Sequence, residues 1–119
     1  MVGKQQFISA ITISYSEDPK VVKQRLEKEI NANKTVDNWL ILTDMVGGTP
    51  CNICLTLACG KFREKYEVVS GVNLYMLISA FINREKMPLT ELKNKIIEDA
   101  KSSIMDAKEK FLKRIADKR

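Results

Sequence analysis

The sequence predicts an α/β fold in which helices pack against a mainly parallel β-sheet. Short segments rich in β-branched and apolar residues alternate with helical segments of about ten residues, which is typical of βα units. The strand-like segments are apolar at odd and even positions alike, as in sheets buried on both faces. The chain has 119 residues, of which 45% are apolar and 29% charged. This size and composition indicate one globular domain, so we expect a single domain over residues 1–119.

The first half of the chain predicts two strands with a helix between them. Residues 7–14 (FISAITIS) predict a strand buried on both faces. Asp18 and Pro19 mark the start of a helix, because aspartate caps helix N-termini and proline fits the first turn. Its apolar spacing continues to an Asn-rich stop at residues 31–33. Trp39–Thr43 (WLILT) predicts the second strand.

The middle of the chain repeats this βα unit. A turn with a glycine pair follows Thr43 and opens an apolar helix near Pro50. Residues 66–70 (YEVVS) predict a third strand, residues 71–73 a tight turn, and residues 74–82 another apolar helix.

The C-terminal part predicts charged helices with one ambiguous segment. Thr90 can cap a long helical pattern. Two serines interrupt this pattern, so residues 103–107 (SIMDA) either continue the helix or form a short strand. Residues 108–119 predict a last helix whose basic residues contribute to the net charge of +5. We interpret them as a solvated helix end and expect no nucleic-acid partner.

The turn after the second strand is the first candidate site. In open parallel sheets, ligands bind beyond the carboxyl ends of the strands, where helix N-termini present free N–H groups. Gly47 and Gly48 would let the backbone approach a ligand closely, and Thr49 adds a hydroxyl beside the helix start. Asp44 could orient a neighbouring imidazole and stabilise its charged form. Alternatively, Asp44 and Thr49 only cap a turn and a helix; the local chemistry leaves both open.

Other chemistries fit this segment less well. No Walker A loop is present, which disfavours nucleotide hydrolysis. Cys51 and Cys54 form a C-x-x-C at a helix start, which is the rival thiol redox interpretation. The Trp-Cys-Gly-Pro neighbours of thioredoxin-like proteins are missing, and we expect Cys54 and Cys59 to pack as small apolar residues. With no histidine in the sequence, three cysteines make an unlikely zinc site, and we expect no metal.

The composition also predicts location. No apolar run approaches the roughly 18 residues that span a bilayer, and the first residues (MVGKQQ) lack the apolar stretch of a secretion signal. An odd number of cysteines in one short segment suits reduced thiols. We therefore expect a cytoplasmic protein without membrane insertion.

Two segments resemble the signatures of a known family. Residues 40–52 (LILTDMVGGTPCN) are similar to a motif in which a buried strand ends in an aspartate and runs through two glycines, Ser or Thr, and Pro. Residues 68–77 (VVSGVNLYML) resemble a second motif, a strand that ends in Gly-Val-Asn before a helix with Met-Leu. Both are motifs of enzyme IIA (EIIA) of the mannose-type sugar phosphotransferase system (PTS). With residues 2–14 and 103–107, the resemblance covers nearly the whole chain.

The resemblance implies a fold, an activity and partners. The fold would be a three-layer α/β/α sandwich with a mainly parallel sheet, and its short antiparallel closing strand, here residues 103–107, would be exchanged within a homodimer. Family members accept a phosphoryl group from the phosphocarrier HPr on a histidine and pass it to enzyme IIB during sugar uptake. The resemblance implies no cofactor.

It also implies roles for seven residues at the two turns. Asp44 would hydrogen-bond the acceptor histidine. The phosphoryl group would be held by Gly47, Gly48 and Thr49, with Gly71, Val72 and Asn73 at the rim of the site.

The chain departs from the family at the acceptor. The family's histidine ends a first strand that would lie before Met1, and the sequence contains no histidine. Asp44 and Thr49 are therefore expected to have supporting roles only, and the chain as written to be inactive alone. A truncated gene product is the favoured explanation, and a natural histidine-free paralogue the other. Because the family places its first strand between the next two, the sheet would also have a gap. A non-catalytic regulatory or binding module of the same fold is the alternative function.

Overall fold

A computed structural model of the chain describes residues 6–13, 17–44, 49–60 and 63–118. Five helices and two strands are described, with a short 3-10 turn at Arg63–Lys65. The helices are α1 (Pro19–Ala32), α2 (Thr49–Ala58), α3 (Leu74–Asn83), α4 (Leu89–Ser103) and α5 (Ala107–Asp117), and the strands are β1 (Trp39–Thr43) and β2 (Tyr66–Ser70). None of these helices is long and apolar enough to cross a membrane.

The two strands form a small parallel sheet, which confirms the α/β class. Trp39 lies opposite Tyr66 and Thr43 opposite Ser70, so the strands are aligned over their full length. Parallel neighbours need a crossover connection, and α2 lies within it. Both strands have the bounds that the sequence predicts.

The core lies where α3 and α4 pack against the sheet. Six buried residues form it: Val69, Met76, Ala80, Leu92, Ile96 and Ala100. The three from α4 recur every four residues, which places them on one face of that helix. Leu40 and Leu42 of β1 pack against this cluster. On this side of the sheet, Lys93 of α4 also forms an ion pair with Glu67 of β2 at 3.1 Å.

Local capping accounts for where the helices begin. The Asp18 side chain accepts a hydrogen bond from the backbone N–H of Lys20 at the start of α1, as predicted. The Asp106 side chain does the same for Glu109 in α5. The predicted cap at Thr90 is wrong: the N-cap is Pro88, two residues earlier, and its extended backbone sets the entry to the helix.

Residues 7–13 do not form the predicted first strand, and residue 14 lies outside the described residues. The Phe7 side chain is 73% exposed, and Ile8 is also exposed. Hydrogen bonds from side chains hold this segment, in place of backbone pairing with a described strand. The Arg84 guanidinium donates to the carbonyl oxygens of Gln6 and Phe7, and Arg25 donates to that of Thr12 at 3.0 Å. A strand requires the edge of a neighbouring strand, and apolar alternation alone does not supply one.

The ambiguous C-terminal segment is helix as far as Ser103 and then extended without a strand. Residues 104–106 pair with neither described strand, so the short closing strand is absent from the described part of this chain. Ile104 is 77% exposed. Helix α5 has no buried residue, and its apolar side chains Phe111, Leu112 and Ile115 are exposed. The C-terminal segment therefore presents an apolar surface that the rest of the described chain does not cover.

Candidate functional site

The end of β1 and the turn after β2 meet at one edge of the sheet. Because β1 and β2 are parallel and in register, their carboxyl ends, Thr43 and Ser70, lie side by side. The backbone N–H of Val72 donates to the carbonyl oxygen of Thr43 at 3.0 Å. This bond ties the turn after β2 to the end of β1. Asp44 and residues 71–73 are therefore brought together, as the sequence predicts.

Asp44 and the first residue of α2 flank residues 45–48, which lie outside the described part of the chain. Asp44 follows β1 directly and is exposed to solvent. Thr49 is the first residue of α2, although its side chain, like Gly47 and Gly48, lies outside what the structure describes. The N-terminal end of a helix carries a partial positive charge and unused N–H donors, which favour an anion. The roles expected of Asp44, Gly47, Gly48 and Thr49 stay predictions.

The second turn is explained by local structure. Gly71 has a φ of +82°, and a Cβ there would meet nothing within 4 Å. Glycine is thus favoured by conformation, not by lack of space. Val72 is half-buried and packs against the core cluster. The Asn73 side chain accepts from the N–H of Met76 at 2.8 Å and caps α3. These roles are structural; the expected position of the three residues at the rim of a phosphoryl site stays a prediction.

Thr43 is the feature of this edge that the sequence did not single out. It is only 6% exposed, and its hydroxyl oxygen is buried with no hydrogen-bond partner among the residues that the structure describes. Leaving a buried hydroxyl unsatisfied costs roughly 1–3 kcal/mol. The sequence feature that could have pointed to Thr43 is that it is the one polar residue in the strand WLILT. A hydroxyl retained at such a cost is a candidate functional group.

The thiols argue against redox chemistry. Cys51 and Cys54 are buried on α2, whereas Cys59 is exposed just beyond its end. Burial raises the pKa of the Cys54 thiol, and the neighbouring Cys51 raises it further. A raised pKa suppresses the thiolate, which is the reactive form. Cys54 therefore packs as predicted, but the same expectation for Cys59 is wrong, because α2 ends before that residue reaches the core. No three potential metal ligands converge among the described residues.

Comparison with known proteins identifies the family. The model of the family described as "PTS system fructose IIA component" matches residues 1–97, which include β1, β2 and both turns. The chain belongs to this EIIA family. The described part of the EIIA fold agrees with a solved relative, the phosphotransferase system component EIIA from Streptococcus agalactiae. That structure has a TM-score of 0.78 and 30% sequence identity, with 87% of this chain and 78% of the other covered.

Curated relatives of this EIIA chain are longer proteins. The chain is 26% identical, over 98% of its length, to the PTS system mannose-specific EIIAB component of Escherichia coli strain K12, and equally similar to that of Shigella flexneri. It spans 36% of the length of each relative. The resemblance to mannose-type EIIA is thus confirmed for the family.

Proposed function

We propose that this chain is the EIIA component of a phosphoenolpyruvate-dependent sugar phosphotransferase system of the mannose family, acting in the cytoplasm. HPr and enzyme IIB would be its partners in phosphoryl relay during sugar uptake. The observation that carries the proposal is the shared carboxyl edge of β1 and β2. There Asp44 is exposed, and the Thr43–Val72 bond holds the turn after β2 beside the end of β1. Family membership supports the same conclusion.

Phosphoryl transfer would need both this edge of the sheet and an acceptor histidine, which these 119 residues do not contain. In a relay through histidine, an N–P bond to the acceptor imidazole forms as the bond to the donor's imidazole breaks. Asp44 would accept a hydrogen bond from the second ring nitrogen and stabilise the charged ring. The N–H groups at the start of α2, with Gly47, Gly48 and Thr49, would bind the phosphoryl oxygens. Because the sequence has no histidine, the chain supplies only the supporting half of the site.

A labelling assay with a grafted acceptor tests this division. Incubated with phosphoenolpyruvate, enzyme I and HPr, the chain as written should carry no acid-labile phosphate. A second protein would bear a family strand and helix with the histidine, fused before Met1, and should become labelled. In that fusion Asp44→Asn should slow labelling about 10- to 100-fold. Asp37→Asn is the matched control, because Asp37 is an exposed carboxylate just before the amino end of β1.

Two results would contradict the proposal. Acid-labile label on the unmodified chain would show that an acceptor is already present. Equal labelling of the Asp44→Asn and Asp37→Asn fusions would show that Asp44 has no role in the transfer.

A regulatory or binding module of the same fold is the second candidate function. Such a module would keep the family fold without carrying out the transfer. Under this function the fused protein would fold, with the helical circular dichroism expected of the chain, and would still not be labelled. Retention of HPr or enzyme IIB by the chain, without transfer, would then be its measurable activity.

We also propose that the sheet is the middle of three layers and that the chain is a homodimer. The support is the uncovered C-terminal segment, residues 104–118, with Ile104 and the apolar face of α5 exposed. Exchange of residues 103–107 between subunits would give this segment a strand edge and a cover. Phe111→Asp should then shift the mass measured by sedimentation towards the monomer. Val21→Asp, at an exposed position on α1, is the control and should not.

A further inference from the structure

The buried hydroxyl of Thr43 has no role in the site described so far. None of the supporting functions assigned to Asp44, Thr49 or the second turn uses it. Within the described part of the chain, this hydroxyl is buried and has no hydrogen-bond partner. Valine has nearly the same shape without the hydroxyl, so packing does not require threonine here.

The position of this hydroxyl follows from the alternation of β1. Leu40 and Leu42 pack against the core cluster on the α3–α4 side of the sheet. Side chains alternate along a strand, so Thr43 lies on the opposite face. There α2 contacts both strands, and Ser70, aligned with Thr43 in the register, lies on the same face. Thr43 is also the last residue of β1, and α2 is the next described element along the chain.

Two independent features therefore favour the same kind of ligand. A helix of ten residues, α2, is the next described helix after β1, and the N-terminal end of a helix favours negative charge. The Thr43 hydroxyl can donate one hydrogen bond, and no group in the described chain accepts it. A tetrahedral oxyanion accepts hydrogen bonds and satisfies both features. Asp44, exposed at the same edge, opposes an anion, so free phosphate should bind only weakly.

We propose that Thr43 is a ligand-contacting residue whose hydroxyl donates a hydrogen bond to an oxygen of a phosphoryl group bound at the carboxyl edge of β1. The proposal rests on the proposed function for the identity of the anion. The phosphoryl group is either that of a phosphohistidine or inorganic phosphate, which share this chemistry. The Thr43 hydroxyl thereby lowers the stability of the ligand-free chain and raises its affinity for the phosphoryl group.

The test is a comparison of three variants titrated with inorganic phosphate, using sodium chloride at equal ionic strength as the reference. Thr43→Val removes the hydroxyl and keeps the shape. Thr43→Ser keeps the hydroxyl. Thr56→Val is the matched control, because the Thr56 hydroxyl is exposed and donates within α2 to the carbonyl oxygen of Asn52. The readout is the melting temperature as a function of phosphate concentration.

The proposal predicts that Thr43→Val raises the melting temperature without phosphate but lowers the affinity for phosphate. Without phosphate, Thr43→Val should melt several degrees higher than the wild type, because an unsatisfied buried hydroxyl is gone. Its apparent affinity for phosphate should fall about 10- to 100-fold, the effect of losing one hydrogen bond to a charged group. Thr43→Ser and Thr56→Val should keep the wild-type response to phosphate.

Two outcomes would overturn the proposal. One is a Thr43→Val variant that responds to phosphate as the wild type does. The other is a wild type whose melting temperature rises no more in phosphate than in chloride. Failure of the labelling assay is a separate result: a phosphate response that depends on Thr43 would establish the anion contact even if the fused protein accepts no phosphoryl group.

Discussion

Replacing Ile96 by alanine tests the core that supports the sheet. Ile96 is fully buried on α4, among residues of β2 and α3. Isoleucine to alanine removes three carbon atoms, worth about 2.4 kcal/mol at about 0.8 kcal/mol each. The cavity that remains raises the expected loss to about 3–4 kcal/mol of the free energy of unfolding. A domain of 119 residues has a stability of roughly 6–18 kcal/mol, so the variant should fold but be clearly weakened.

Urea unfolding followed by circular dichroism measures this loss, and the melting temperature should fall by about 10 °C. The matched control is Ile82→Ala on α3, because Ile82 is 49% exposed and alanine favours a helix. It should cost less than about 1 kcal/mol. If Ile82→Ala destabilises the chain as much as Ile96→Ala, the core does not lie between α4 and the sheet, and the reasoning is refuted.

Three further predictions concern single groups. Hydrogen bonds from Ser79, the larger effect, and from Lys95 lower the pKa of Asp99. The ionised Asp99 therefore stabilises the fold above the unfolded-state pKa of about 4, and this stabilisation is lost as pH falls through the lower folded-state pKa. The gap in urea unfolding free energy between wild type and Ser79→Ala should therefore narrow below about pH 4; a constant gap down to pH 2 would contradict it. Gly71→Ala should cost about 1 kcal/mol in the same assay, because its φ is positive although the space is open, and a loss above about 3 kcal/mol would mean a clash instead. Cys59 should react with a thiol reagent at once and the two buried thiols only after unfolding, so a fast phase that survives in Cys59→Ser would be inconsistent with their burial.

The parts of the fold that sequence predicted well depend on local patterns. β1 and β2 are short apolar runs bounded by turns, and α1 begins at an aspartate followed by proline. Residues 7–14 have an equally apolar pattern, yet the described part of this segment is not a strand. The difference is non-local, since a strand forms only where another strand offers free N–H and C=O groups at the right distance.

The candidate site likewise has features that local sequence predicts and features that depend on the whole fold. That Asp44 and Gly71 share one edge follows from two parallel strands, and the sequence predicts it. The orphaned hydroxyl of Thr43 could not be predicted, because whether it has a partner depends on every element around it. Cys59 was expected to pack because free cysteines are usually buried, but α2 ends at Ala58 and Cys59 is exposed. In both cases the surroundings of the side chain depend on the whole fold, which residue type and local pattern do not determine.

The parallel pairing of β1 with β2 also sets when the site can appear during folding. Trp39 pairs with Tyr66, and every other pair of the two strands has the same separation along the chain. Closing a loop of this length has an entropic cost, which comes before any hydrogen bond between the strands forms. The crossover with α2 must therefore be largely in place before either strand gains from pairing. During synthesis, no fragment that stops before β2 can hold the carboxyl edge together. The two turns of the site should acquire protection from hydrogen exchange in the same kinetic step, and not one after the other.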